Sequence, residues 1–204
     1  MVIEHCECRQ LLLTETPILQ PFTPAERRAL EKDGLLIYPF SLQTIRSQKD
    51  AGKPFWNMVD AGPQFEAVPS MVGEVAFIPD PKRFYLPESN NKTLGQEEEL
   101  IKEYGRELRE RLNLPDHIKT VIGQAPDYTQ LAFMHQEETG EYLFGPKYGH
   151  NFARSKTPTN GLFVAFVGYF SANLGLNVNE WDRGRGFAGA FAVPLVVSVA
   201  SATI

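Results

Sequence analysis

Cysteine is scarce in this chain: it has 2, Cys6 and Cys8. One intervening residue strains an internal disulfide and cannot tie distant parts of a fold together. A disulfide scaffold is excluded, and redox chemistry gives no argument for secretion. The start of the chain also lacks a basic stretch before an apolar run, since Glu4 and Glu7 precede Leu11-Leu12-Leu13. No signal peptide is expected, and the expected location is cytoplasmic. Positive charge is not in excess either: 20 Lys and Arg against 25 Asp and Glu give a net charge of −5. No global field draws the protein to nucleic acid or anionic lipid, so nucleic-acid binding is not favoured by net charge and would need a local basic patch.

Fingerprints of common chemistry are missing as well. There is no phosphate loop, dinucleotide glycine motif, zinc-protease helix or nucleophile elbow, and no cofactor is expected. The segment His5-Cys6-Glu7-Cys8 contains soft ligands. A closed zinc site takes four, however, and His117, His135 and His150 are scattered, so no metal is expected.

What is present describes an ordinary globular chain. Its 204 residues, 43% hydrophobic and 22% charged, fit one α+β domain spanning 1–204. Two uncharged runs, Thr157 to Asn179 and Phe187 to Ile204, are long enough to cross a bilayer. Their Asn, Gly, Pro, Ser and Thr content suits buried strands instead, so no membrane span is expected.

Local signals predict the elements. Thr23-Pro24-Ala25-Glu26 opens a helix that Gly34 closes, Leu35 to Phe40 reads as a strand, and Ser41 to Asp50 as a short helix. The aromatic, Pro- and Gly-rich segment 53–70 reads as an ordered loop. Val75 to Ile78 and Phe84 to Leu86 read as a hairpin around Pro79-Asp80-Pro81-Lys82. The clearest prediction is a helix over 94–112, capped by Thr93 and Gln96, with Ile101, Tyr104, Leu108 and Leu112 on its apolar face. Ile118 to Ile122 reads as a strand, and Gln130 to His135 as one paired with Glu141 to Phe144 across Glu138-Thr139-Gly140. The C-terminal third reads as an antiparallel meander of 162–170, 174–181 and 187–199. The expected architecture is an antiparallel or mixed sheet, open or curled toward a barrel, with the long helix packed on one side.

The meander places the turn Asp182-Arg183-Gly184-Arg185-Gly186 near the loop 145–160. Tyr148, Arg154, Lys156, Trp181, Arg183 and Arg185 would then converge at one sheet end. Arginine offers a planar fork and lysine a point charge to phosphate or carboxylate, and the aromatics offer stacking, so the leading expectation is binding of an anionic small molecule there. A rival expectation is acid/base chemistry with His150 as the catalyst and Asp182 orienting it. A third is an oligomer-forming protein that packs through segment 53–70.

Overall fold

A computed structural model describes residues 18–200. The metal and disulfide readings at His5, Cys6 and Cys8 lie outside the described residues. The α+β class holds, with the strands divided between a smaller sheet of order β1-β3-β9-β4 and a larger one of order β2-β7-β6-β5-β8.

In the smaller sheet β1 (Leu36–Phe40), β3 (Gly73–Phe77), β9 (Leu195–Ser198) and β4 (Ile118–Val121) pair antiparallel throughout. One face is covered by α1 (Pro24–Lys32) and α4 (Leu94–Leu112), whose Leu30 and Leu108 pack with Ala76, Ile118 and Val196. Both helices start as the sequence predicts, with reciprocal capping boxes at Thr23/Glu26 and Thr93/Gln96. Ile101 and Leu108 are fully buried, and each such burial contributes about 2 kcal/mol. Gly105 lets α4 approach β4 closely: a Cβ there would lie 2.1 Å from the Thr120 hydroxyl, which donates to the Ile101 carbonyl.

α5 (Ala125–Thr139) fills the space between the sheets. Its Tyr128, Leu131, Ala132 and Phe133 share one core with Val75, Phe77, Leu195 and Val197 of the smaller sheet and Ala153, Ala165, Val167, Leu176 and Val178 of the larger. This corrects the hairpin expected over 130–144. A helix buried on nearly every side shows no amphipathic period, and the short apolar run Leu131 to Met134 between Gln130 and His135 imitated a buried strand. Glu138-Thr139-Gly140 is the helix end, with Gly140 left-handed at φ 76°. At the other end Asp127 accepts from the Gln124 and Met71 amides at 2.6 and 2.7 Å.

The larger sheet contains β2 (Phe55–Met58), β7 (Gly175–Asp182), β6 (Phe163–Ser171), β5 (Phe152–Pro158) and β8 (Ala190–Phe191). β5, β6 and β7 are antiparallel neighbours, while β2 runs parallel to β7 and β8 parallel to β5. The uncharged run from Thr157 to Asn179 supplies the end of β5, β6 and most of β7. Among the described residues no helix is long and apolar enough to cross a membrane.

Other expectations are corrected. Residues 187–199 do not form a third meander strand: they split into β8 and β9, one in each sheet. Pro194 lies in the crossing and has no N–H to give a ladder, which explains the break. The hairpin expected at 75–86 is replaced by a turn in which the Arg83 and Phe84 amides donate to the Asp80 carbonyl. Segment 53–70 is partly regular, containing β2 and α3 (Gly62–Glu66).

Candidate functional site

β6 and β7 form a long hairpin whose register sets Phe163 opposite Asp182 and Gly168 opposite Asn177. Ala165, Val167, Leu176 and Val178 point into the core beside α5. By strand alternation Phe166, Asn177 and Trp181 belong to the opposite, outer face, as do Phe152 and Arg154 of β5.

The turn 182–186 is fixed on several sides. The Gly184 amide donates to Asp182 Oδ1 at 2.8 Å, the Arg183 amide to the Leu162 carbonyl, and the Leu94 amide to the Arg183 carbonyl. Gly186 lies so close to Asn91 that a Cβ would sit 2.4 Å from its carbonyl oxygen. Beneath the turn Arg154 donates to the carbonyls of Lys92, Arg185 and Asp182 at 3.0, 3.2 and 3.4 Å, with its guanidinium over the Phe166 ring. Arg154 Nε stands 3.2 Å from Glu97 Oε1 in an ion pair in which both side chains are fully buried. The Nε–H is not aligned on the carboxylate as a hydrogen bond, so the contact is chiefly Coulombic. Burial pushes Glu97 up to about 7 despite the downward pull of Arg154.

The structure therefore brings the β5 strand and the turn together but gives their cations different environments. Arg154, on the outer face but buried beneath the turn, is committed to the protein. Lys156 pairs with Glu98 at 3.2 Å. Arg183 is exposed and makes no ion pair among the described residues, and the exposed Arg185 reaches only Asp182 Oδ2 at 3.4 Å. Trp181 is exposed and packs against Phe187 with ring centroids 4.9 Å apart. Tyr148 lies elsewhere: its hydroxyl donates to the Pro79 carbonyl at 2.6 Å and its ring packs on Phe84, so it belongs to the core.

His150 and Asp182 are not brought together. His150 meets Tyr169, which follows Gly168 in the second half of β6, while Asp182 is paired with Phe163 at the start of that strand. Phe163 and Gly168 are about 17 Å apart at the normal strand rise. No cluster of metal-ligating side chains exists among the described residues.

A file of rings along the outer face was not expected from the sequence. From Trp181 it passes through Phe187, Phe166 and Phe152 to Tyr169, which also meets His150 at 4.4 Å and Trp56 at 5.7 Å. Tyr169 and His150 both hold left-handed backbones, at φ 55° and 53°, a strained conformation for side chains of this size. Gly168 permits the crowding there, since a Cβ would lie 2.4 Å from the Asn151 carbonyl oxygen and 2.7 Å from Phe152 Cα. Gly168→Ala is expected to lower stability by about 2 kcal/mol, because backbone on both sides must move. Urea denaturation measures this, and an unchanged midpoint would mean that the two strands separate without cost.

Compared with protein-family models, curated proteins and solved structures, the chain matches none.

Proposed function

We propose that this protein binds a phosphate-bearing ligand with a planar ring, a nucleotide or a short single strand, at the Trp181 end of the larger sheet. The observation that carries this reading is the combination of exposed Arg183 and Arg185 with the adjoining rings of Trp181 and Phe187 that flank them in the chain, on a turn that buried Arg154 supports from below. A guanidinium fork and an adjacent ring recognise phosphate and base through different chemistry. Glu97, Glu98 and Glu99 are each paired elsewhere, with Arg154, Lys156 and Lys102, so among the described residues Asp182 beside Arg185 is the carboxylate paired with a cation of this turn, and Arg183 makes no ion pair. The net charge of −5 makes the attraction local, so steering over long distances should be weak.

Both tryptophans of the chain, Trp56 and Trp181, stand along the outer face, so intrinsic fluorescence reports directly on a stacked base. Titration with mononucleotides and with a short single-stranded oligonucleotide is expected to quench that signal, less so as salt is added. Arg183→Ala is expected to weaken binding about tenfold while leaving stability near the wild-type value, since its side chain meets water. Inorganic phosphate without a base should bind more weakly still. Absence of quenching across the panel, or unchanged binding in an Arg183→Ala, Arg185→Ala double variant, would refute the proposal.

A further inference from the structure

A second site, unconnected with the turn at 182–186, lies between α5 and the segment that follows β1, which includes the short helix α2 (Ile45–Asp50). A cleft of about 280 Å³ opens there. Pro39, Phe133 and Met134 provide its apolar lining, and Gln48, Lys53 and Glu137 its chemistry. A volume just below the drug-sized range suits a small metabolite rather than a polymer.

The polar groups differ in how far the protein satisfies them. Gln130, also lining the cleft, is used up: with its amide oriented to suit its neighbours, Oε1 accepts from the Ser41 amide at 2.9 Å and Nε2 donates to the Ser41 carbonyl at 3.0 Å. Gln48 is not. It is 3% exposed and its Nε2 makes a long 3.4 Å bond to the Pro126 carbonyl, while its Oε1 is buried without a partner. A buried acceptor left unsatisfied is costly, and a ligand N–H would remove that cost. At the cleft Lys53 pairs with Glu137, their side chains 27% and 55% exposed, and the Lys53 ammonium also lies 5.7 Å from the Phe133 ring centroid.

We propose that this cleft binds a free α-amino acid with an apolar side chain. Its carboxylate pairs with Lys53 and its ammonium with Glu137, so one ion pair is exchanged for two. The ammonium has three donors, and a turn of the Gln48 amide toward the cleft would bring its unpartnered Oε1 to one of them. The side chain lies against Pro39, Phe133 and Met134. A molecule with only one of the two charges must either break the Lys53–Glu137 pair and strand one partner or leave that pair intact and forgo an ion pair of its own, so the zwitterion is favoured over both capped forms.

Thermal melting of the full chain tests this with L-leucine and L-phenylalanine, alongside N-acetyl-L-leucine and L-leucine methyl ester. At about 10 mM, a free amino acid that binds with Kd of about 1 mM or tighter raises Tm by about 3 °C or more. The two capped forms, each missing one charge, are expected to leave Tm unchanged. Lys53→Ala and Glu137→Ala should each weaken leucine binding about tenfold or more, with circular dichroism confirming that these variants fold. A shift of equal size with the capped forms, no shift with either amino acid, or full binding by both variants would each overturn the proposal. The comparison of free with capped ligand uses wild-type protein, so it decides the matter even if a variant fails to fold.

Discussion

Arg154→Ala is expected to lose about 3 to 5 kcal/mol of stability in urea denaturation, although charged residues near loops usually tolerate truncation. The cause is what the side chain leaves behind. Glu97 would remain fully buried with no cation beside it, and the carbonyls of Lys92, Asp182 and Arg185 would lose a shared donor. Arg154→Lys should recover little, because an ammonium cannot span three carbonyls and a carboxylate as a planar fork does. Adding Glu97→Gln to the alanine variant should restore part of the loss by removing the stranded charge, and such non-additivity is the signature of a coupled pair. A loss below about 1 kcal/mol for Arg154→Ala would mean that water replaces the guanidinium without cost. Weakened ligand binding in this variant would not identify a contact, since the turn carrying Arg183 and Arg185 would have lost its support.

Elements with chemistry at their ends were the legible ones. α1 and α4 announced themselves through Thr-x-x-Glu and Thr-x-x-Gln, where the side chains satisfy amides that the helix itself cannot. The β6–β7 hairpin was legible from the uncharged run that spans β6 and most of β7 and from the turn at Ser171-Ala172-Asn173. α5 carried equivalent marks in Gln124, Asp127 and the left-handed Gly140. They were outweighed because its middle, packed between two sheets, has no polar face to set the period. The last stretch failed for a related reason. Leu195, Val196 and Val197 are buried on both faces of a central strand, so hydrophobicity alone cannot say which sheet receives them.

The candidate site was half legible. Hairpin geometry was enough to place the turn 182–186 beside residues 145–160, and Arg154 does reach the carbonyls of Asp182 and Arg185. Hairpin geometry could not say that Arg154 points to a carboxylate 57 positions earlier, because that contact depends on how α4 meets the larger sheet. The ring file was hidden for the same reason. Trp56 enters it from β2, which joins the sheet only through a parallel pairing with β7 across more than 100 residues of chain.

The buried pair also predicts how stability depends on pH. In the unfolded chain the Glu97 carboxyl titrates near its ordinary value of 4.5, and in the folded protein burial raises it to about 7. Between those values the folded state binds more protons than the unfolded state, so the contribution of Glu97 is fully present below about pH 4.5 and is lost as pH rises toward 7. A displacement of this size corresponds to about 3 kcal/mol. Asp127, raised by burial from 3.8 to about 6, acts in the same direction over a lower window, while His135, pushed down by burial, acts in the opposite one. The measurement is therefore a comparison: urea stability of wild type and Glu97→Gln at intervals from pH 4.5 to 8. The advantage of wild type over the variant is expected to shrink as pH rises, and a difference that stays constant would sink the assignment. Arg154→Ala supplies an independent arm. Without the cation Glu97 titrates higher still, so the penalty of that substitution should be smaller at pH 5, where the acid enters the fold neutral, than at pH 8, where folding must either bury the charge or take up a proton.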